Sequence, residues 1–300
     1  IISEIVADSH QSDMTTTSGR DAFEYFELYN TSNQSINLDD YQVLYDNGST
    51  ISEWNLPANT ILPANEALIV WIQNEESKDL DLALFREYYN LSADEGQIVK
   101  TENIVSGFSN SGQRELRVTV KNTKQILSSV IYNDEDVKVQ TKKGINFIYN
   151  SGRIQESTFS YDLDPTPGSL IEQQKLESKY QFVTVSDGIV TINTVQEINA
   201  GEALVVKATT NLPGVILKAT LKVNDKEYDM TYDSDGNYVY SVPASEISNE
   251  DLLNITATFN DGINEITSAT QTVTVNEGAV EFASPLLISE LSPNSTNVSG

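Results

Sequence analysis

The single histidine, His10, lies in the run Asp8-Ser9-His10-Gln11-Ser12-Asp13, where an imidazole, hydroxyls and carboxylates are close enough in sequence to suggest a hydrolytic triad. A polar loop after the first strand makes a solvated histidine the better reading, and no Gly-x-Ser-x-Gly elbow presents a nucleophile anywhere in the chain. Glu24 and Glu27 are a second candidate pair, yet strand alternation puts them on opposite faces, so they do not form a paired acid and base on one sugar. The oxygen-rich run Asp233-Ser234-Asp235-Gly236-Asn237 has the alternation of a calcium loop, but Ala244 stands where that loop needs its closing glutamate. It reads better as a hairpin turn closed by Asx hydrogen bonds. Carboxylates also crowd at Asp134-Glu135-Asp136 and around Glu75, Glu76 and Asp79, dense enough for weak Ca2+ binding. Tyr25, Tyr29, Tyr41, Tyr45, Trp54 and Trp71 suggest an aromatic sugar platform, with core packing the stronger expectation. No catalytic, cofactor-binding or metal-ligating residue is therefore assigned, and no cofactor is expected.

The elements that would position these groups are strands. Leu116, Val118 and Val120 alternate with Glu115, Arg117, Thr119 and Lys121, and Leu217, Ala219, Leu221 and Val223 alternate with Lys218, Thr220 and Lys222. Asp46-Asn47-Gly48, Asn110-Ser111-Gly112, Asp187-Gly188, Asp235-Gly236 and Asp261-Gly262 punctuate the runs with turn chemistry. One segment differs: Leu80, Leu84, Phe85 and Tyr88 follow a helical period behind Glu75, Glu76 and Asp79, which predicts a helix over Lys78 to Asn90. The motif Asp164-Pro165-Thr166-Pro167-Gly168 cannot continue a central strand and marks a domain exit.

Composition narrows the functions further. Forty-four acidic against 18 basic residues give a net charge of -26, which opposes binding to nucleic acid unless a local surface around Lys138, Lys142 and Lys143 outweighs it. Cysteine is absent, which removes disulfides, thiolate metal sites and cysteine nucleophiles together. The longest apolar runs, such as Ala67 to Ile72, fall far short of a membrane span, and no secretion signal opens the chain. An acidic, cysteine-free, Thr/Ser/Asn-rich β composition suggests a secreted or cell-surface bacterial protein, from a Gram-positive organism.

Ile2-Ser3-Glu4-Ile5 followed by Phe23-Glu24-Tyr25-Phe26-Glu27-Leu28-Tyr29-Asn30 resembles the opening of a bacterial lamin tail domain. Further marks are Leu38-Asp39-Asp40-Tyr41, the proline-then-strand run Ile61 to Val70, the expected hairpin Asn110 to Leu116 and the exit Pro165-Thr166-Pro167-Gly168. The resemblance covers about residues 1–170 and implies an Ig-like β-sandwich. After a linker at 171–181, residues 182–276 resemble a bacterial Ig-like module, in which Tyr228 to Ala244 reads as two strands joined by an Asp-Gly turn. A second linker at 277–285 leads to Leu287-Ile288-Ser289-Glu290-Leu291, which repeats Ile1-Ile2-Ser3-Glu4-Ile5 and suggests that 286–300 open a second lamin-tail-like unit, with Leu287–Leu291 paired to a sheet edge. The fold class is thus all-β, two tandem Ig-like sandwiches with one short helix inserted in the first. The expected role is a non-catalytic spacer, adhesion or docking part of a larger protein, with a protein or cell-envelope partner and no membrane insertion. The alternative is a region that positions a secreted nuclease or metallophosphoesterase on its substrate.

Overall fold

The computed structural model describes residues 1–9, 21–150, 153–175, 181–247 and 251–277. His10, Asp13 and the repeat at Leu287–Leu291, with the pairing expected of it, lie outside them. The chain is all-β, two tandem sandwiches.

The first sandwich is built from β1 (Ile2–Val6), β2 (Tyr25–Tyr29), β3 (Ile36–Asn37), β4 (Tyr41–Asp46), β5 (Ile51–Trp54), β6 (Ile61–Leu62), β7 (Ala67–Trp71), β8 (Gln97–Lys100), β9 (Arg114–Val120), β10 (Ile126–Tyr132), β11 (Gly144–Ile148) and β12 (Ser157–Leu163). One sheet runs β12-β11-β1-β2-β7-β8, the other β10-β9-β4-β5, and β3 pairs with β6. Ile5, Phe26, Val70 and Phe147 from the first sheet meet Val43, Tyr45, Trp54, Leu116 and Val130 from the second in a closed core. All residues of β1, β2 and β7 are buried, because the outer face of the larger sheet is covered as well.

That cover is α1 (Leu82–Tyr88), shorter than the expected Lys78 to Asn90. Residues 75–79 form turns instead, with Asn74 Oδ1 accepting from the N–H groups of Glu76 at 2.9 Å and Ser77 at 3.0 Å, while Glu75 pairs with Lys78 at 2.7 Å. The acid that starts the helix is Asp81, whose carboxylate accepts the Leu84 N–H at 3.0 Å. Asn90, with φ of 54°, ends it in the left-handed region. Phe85 inserts among Phe23, Tyr25 and Trp71 in a second, aromatic cluster on the outer face.

A second correction concerns Asn110 to Leu116. The flanking strands β8 and β9 belong to different sheets, so the turn at Asn110-Ser111-Gly112 lies in a crossover and not in a hairpin. Local turn chemistry is the same in both cases, and only the pairing partners distinguish them. The stretch expected as a linker also begins inside the first sandwich. Glu172–Gln174 is a 3-10 turn in which Gln174 is buried and donates to the carbonyls of Ser3 at 2.6 Å and Phe147 at 3.1 Å.

The second sandwich comprises β13 (Val190–Asn193), β14 (Glu197–Asn199), β15 (Leu204–Thr210), β16 (Lys218–Val223), β17 (Lys226–Asp229), β18 (Thr231–Tyr232), β19 (Tyr238–Val242), β20 (Leu252–Asn260), β21 (Glu265–Thr267) and β22 (Gln271–Asn276), with a helical turn, α2 (Ala244–Ile247). Its sheets are β13-β15-β19-β18 and β14-β22-β20-β16-β17, with β21 added on β20. The strand expected to start at Tyr228 divides at buried Met230: β17 stays with β16, and β18 changes sheet to join β19. The Asp-Gly turn between β18 and β19 is as expected.

The sandwiches touch through the β9–β10 hairpin. Thr123 accepts the Tyr232 N–H at 2.7 Å and donates to the Ile216 carbonyl at 3.3 Å, and Tyr238 donates to Gln125 at 3.2 Å. Val215 of the second unit packs into the core of the first.

Candidate functional site

The described residues that the sequence singles out take part in local structure. Ser9 Oγ accepts the Phe23 N–H at 3.1 Å, and Asp8 accepts the Thr141 hydroxyl at 2.8 Å. Asp233 Oδ1 accepts the N–H groups of Asp235 and Asn237, both at 2.9 Å, which closes an Asx turn. Asp134 does the same for Asp136 and Val137 at 2.9 and 2.7 Å. Tyr25, Tyr29, Tyr41, Tyr45, Trp54 and Trp71 are all buried, so the platform is core. Lys138 donates to the Asp134 carbonyl and Lys143 pairs with Asp164 at 2.8 Å. Among the described residues no group of three or more His, Cys, Asp or Glu side chains is arranged to hold a metal.

The unusual chemistry lies elsewhere, in glutamates that strand reading treats as ordinary sheet residues. A bulge in β1 puts Ile2 opposite Leu28 and Glu4 opposite Glu27, so Ile2 and Ile5 both face the core while Glu4 and Glu27 face outward, side by side. Both carboxyls are 1% exposed. Glu4 accepts from the Tyr25 hydroxyl, from Asn146 Nδ2 at 3.2 Å and from the Thr166 N–H at 3.1 Å. Glu27 accepts from the Ser3 hydroxyl and from the Gly168 N–H, each at 2.7 Å. Gly144 is glycine for a steric reason, since a Cβ there would collide with the Glu4 carboxyl. Gly168 has φ of 80°, which turns its N–H onto Glu27 after Pro167.

Loss of water dominates the electrostatics. Burial pushes Glu4 up to about 7 against the opposing pull of its hydrogen-bond donors, and burial together with the neighbouring Glu4 pushes Glu27 up to about 8. Glu24, on the opposite face from Glu27 as alternation requires, is also buried; it accepts the Phe108 N–H at 3.1 Å, and desolvation raises its pKa well above the ordinary value. Asn30 completes the set, donating to the carbonyls of Gln34, Leu62 and Pro63 at 2.8 to 3.1 Å. Polar positions of four sequence motifs, from residue 4 to residue 168, thus meet one another or the loops that connect them.

Residues 1–134 match the family model of the lamin tail domain. The first sandwich is a lamin tail domain. Its larger sheet extends past the matched region, since β11 and β12 supply two of its strands and the exit loop supplies donors to Glu4 and Glu27. A Bacillus subtilis (strain 168) protein described as the uncharacterized protein YvnB is 22% identical over 184 residues, 60% of this chain. The chain spans 14% of that relative's length. A solved chain from a study of host cell surface retention by a 1.5-MDa bacterial ice-binding adhesin is 14% identical and covers 86% of this chain and 91% of its own, at a TM-score of 0.25. A superposition of that quality carries no argument here. Sequence reasoning missed Asn146, Gly144 and Gln174 as parts of the lamin tail domain's buried network. The available signal was Ile2 and Ile5, three apart in a strand, a spacing that period two does not allow without a bulge.

Proposed function

We propose that this chain is a non-catalytic stretch of a larger bacterial surface or secreted protein, a lamin tail domain and an Ig-like module acting as spacer, adhesive or docking part. The observation that carries the reading is the fate of the first sandwich's polar motif residues. Glu4, Glu24, Glu27 and Asn30 are buried and commit their polar atoms to neighbouring side chains and to backbone groups of loops, the glutamates to N–H groups of Thr166, Phe108 and Gly168 and Asn30 to carbonyls. Groups committed in this way fix a scaffold. The docking of Thr123 and Gln125 onto the second sandwich supports a unit that transmits position along its length. The repeat of Ile1–Ile5 at Leu287–Leu291 supports a parent protein in which sandwich types alternate.

The purified chain is expected to show no turnover of nucleotides, phosphodiesters or glycans, with or without divalent metals. Metal-dependent turnover that His10→Ala or Asp13→Ala abolishes overturns the reading. Gel-shift assays at physiological salt are expected to show no DNA binding, as the net charge of -26 requires.

A further inference from the structure

Glu4 and Glu27 stand directly opposite each other on β1 and β2, and the hydrogen bonds they accept come from neutral groups: Tyr25, Asn146, Thr166, Ser3 and Gly168. Two of these donors, the N–H groups of Thr166 and Gly168, belong to the segment by which the chain leaves the first sandwich. Across from Glu4 on β11 lies Asn146, fully buried, whose Oδ1 has no hydrogen-bond partner among the described residues. An ionised carboxylate offers that amide no proton, whereas a carboxylic acid does. The other titratable groups around the pair are Tyr25 on β2 and Tyr89 after α1, both held neutral by burial, and the Lys143–Asp164 ion pair flanking Gly144 and the exit turn. Asn146, Thr166, Gly168 and Gln174, from the remaining elements, bring no charge.

We propose that the Glu4–Glu27 pair is a proton-operated latch on the exit segment Pro165–Gln174, which stays fastened to the sheet while the pair holds a proton and is freed when that proton leaves. Two buried carboxylates facing each other without a cation repel strongly in a low-dielectric site. The least costly relief is to admit water, and the exit segment over the pair is held to it by hydrogen bonds alone, from the N–H and hydroxyl of Thr166 to Glu4 and from the Gly168 N–H to Glu27, with Gln174 anchored on the Ser3 and Phe147 carbonyls. Farther along the chain, the Phe182 carbonyl accepts from Gln34 of the first sandwich at 3.2 Å. Acid closes the latch; alkali opens it.

The test uses the full chain, with side-chain carboxyl 13C shifts and amide exchange protection followed from about pH 5 to about pH 9. At least one of the two carboxyls is expected to titrate near neutrality. Protection at Thr166 and Gly168, corrected for intrinsic exchange, should fall by up to about tenfold per pH unit above that point, while Phe259 in β20 stays unchanged. Glu27→Gln, which keeps the shape and removes the charge, should leave protection flat across the range; if that variant does not fold, the wild-type titration decides alone. Both carboxyls titrating in the ordinary glutamate range, or protection independent of pH in the wild-type chain, overturns the latch. So does protection restored at about pH 8 by millimolar Ca2+ with both carboxyls ionised, which would make the pair a cation clamp.

Discussion

The two sandwiches solve the same packing problem with different materials. Among the described residues the first buries Asp21, Glu4, Glu24, Glu27 and Glu156 beside a core rich in Tyr, Trp and Phe, while the second buries one acid, Asp261, and relies on Val, Leu, Ile and Ala with few aromatics. In β20, Leu253, Ile255, Ala257 and Phe259 alternate inward with polar neighbours facing outward, as a sheet with one wet face requires. The first sandwich covers the outer face of its larger sheet with α1 on one side and the exit segment on the other. A covered face no longer excludes charge by alternation, and the glutamates are tolerated there because loop N–H groups converge on them. Aliphatic packing specifies a layer; buried carboxyls specify which loop lies where.

The largest expected effect comes from the aromatic core. Trp54→Ala removes a fully buried ring packed against Tyr45 and Phe108 and is expected to destabilise the first sandwich by about 3–5 kcal/mol. Both tryptophans, Trp54 and Trp71, lie in that sandwich, so in denaturant titration the fluorescence of Trp71 reports it alone, while the amide resonances of β20 report the second. Coincident shifts of both transitions would mean that the contacts through Thr123 and Val215 bind the two units into one cooperative block.

Glu27→Ala takes the acceptor from the Gly168 N–H and the Ser3 hydroxyl. At about pH 5, where the pair is neutral, the expected cost is about 1–3 kcal/mol. At about pH 9 the same substitution also removes a buried like charge beside Glu4, so its cost is smaller. A cost that grows with pH would contradict the electrostatic account.

The wild-type stability of the two units is expected to respond to pH with opposite sign. Glu4 and Glu27 bind protons more tightly folded than unfolded, so their contribution is fully present below about pH 4.5 and is lost as pH rises through about 7 to 8. In the second sandwich the resolved carboxyl shifts go down: Asp233 through the N–H of Asn237, and Glu246 through the Tyr228 hydroxyl and Lys226. Their contribution is present above the ordinary carboxyl range and is lost as pH falls through their lowered values. Thermal melts followed by Trp fluorescence and by the amide resonances of β20 separate the two slopes. Parallel slopes would erase the contrast.

Smallest is the helix cap. Asp81→Ala removes the acceptor for the Leu84 N–H and is expected to cost about 1 kcal/mol, confined to the first sandwich and independent of the carboxyl pair. Additivity with Glu27→Ala in a double mutant checks that α1 and the exit segment cover the sheet as separate lids.

Much of this was legible in the chain. Period-two runs, turn residues and the motifs Ile2–Ile5, Phe23–Asn30 and Pro165–Gly168 determine an all-β chain that begins with a lamin tail domain, because alternation and turn chemistry are local properties of neighbouring residues. Helix existence was equally local, though its start was not, since Asn74 captures the N–H groups of Glu76 and Ser77 and postpones it to Asp81. Tertiary structure alone decided that Asn110-Ser111-Gly112 joins two sheets, that Tyr228 to Tyr232 changes sheet at Met230, and that Glu4 meets Glu27, Asn146 and Thr166. These depend on register, on a one-residue bulge and on contacts across as many as 162 positions, as between Thr166 and Glu4. A carboxylate's protonation follows from what surrounds it, and that surrounding exists only once the distant segments have come together.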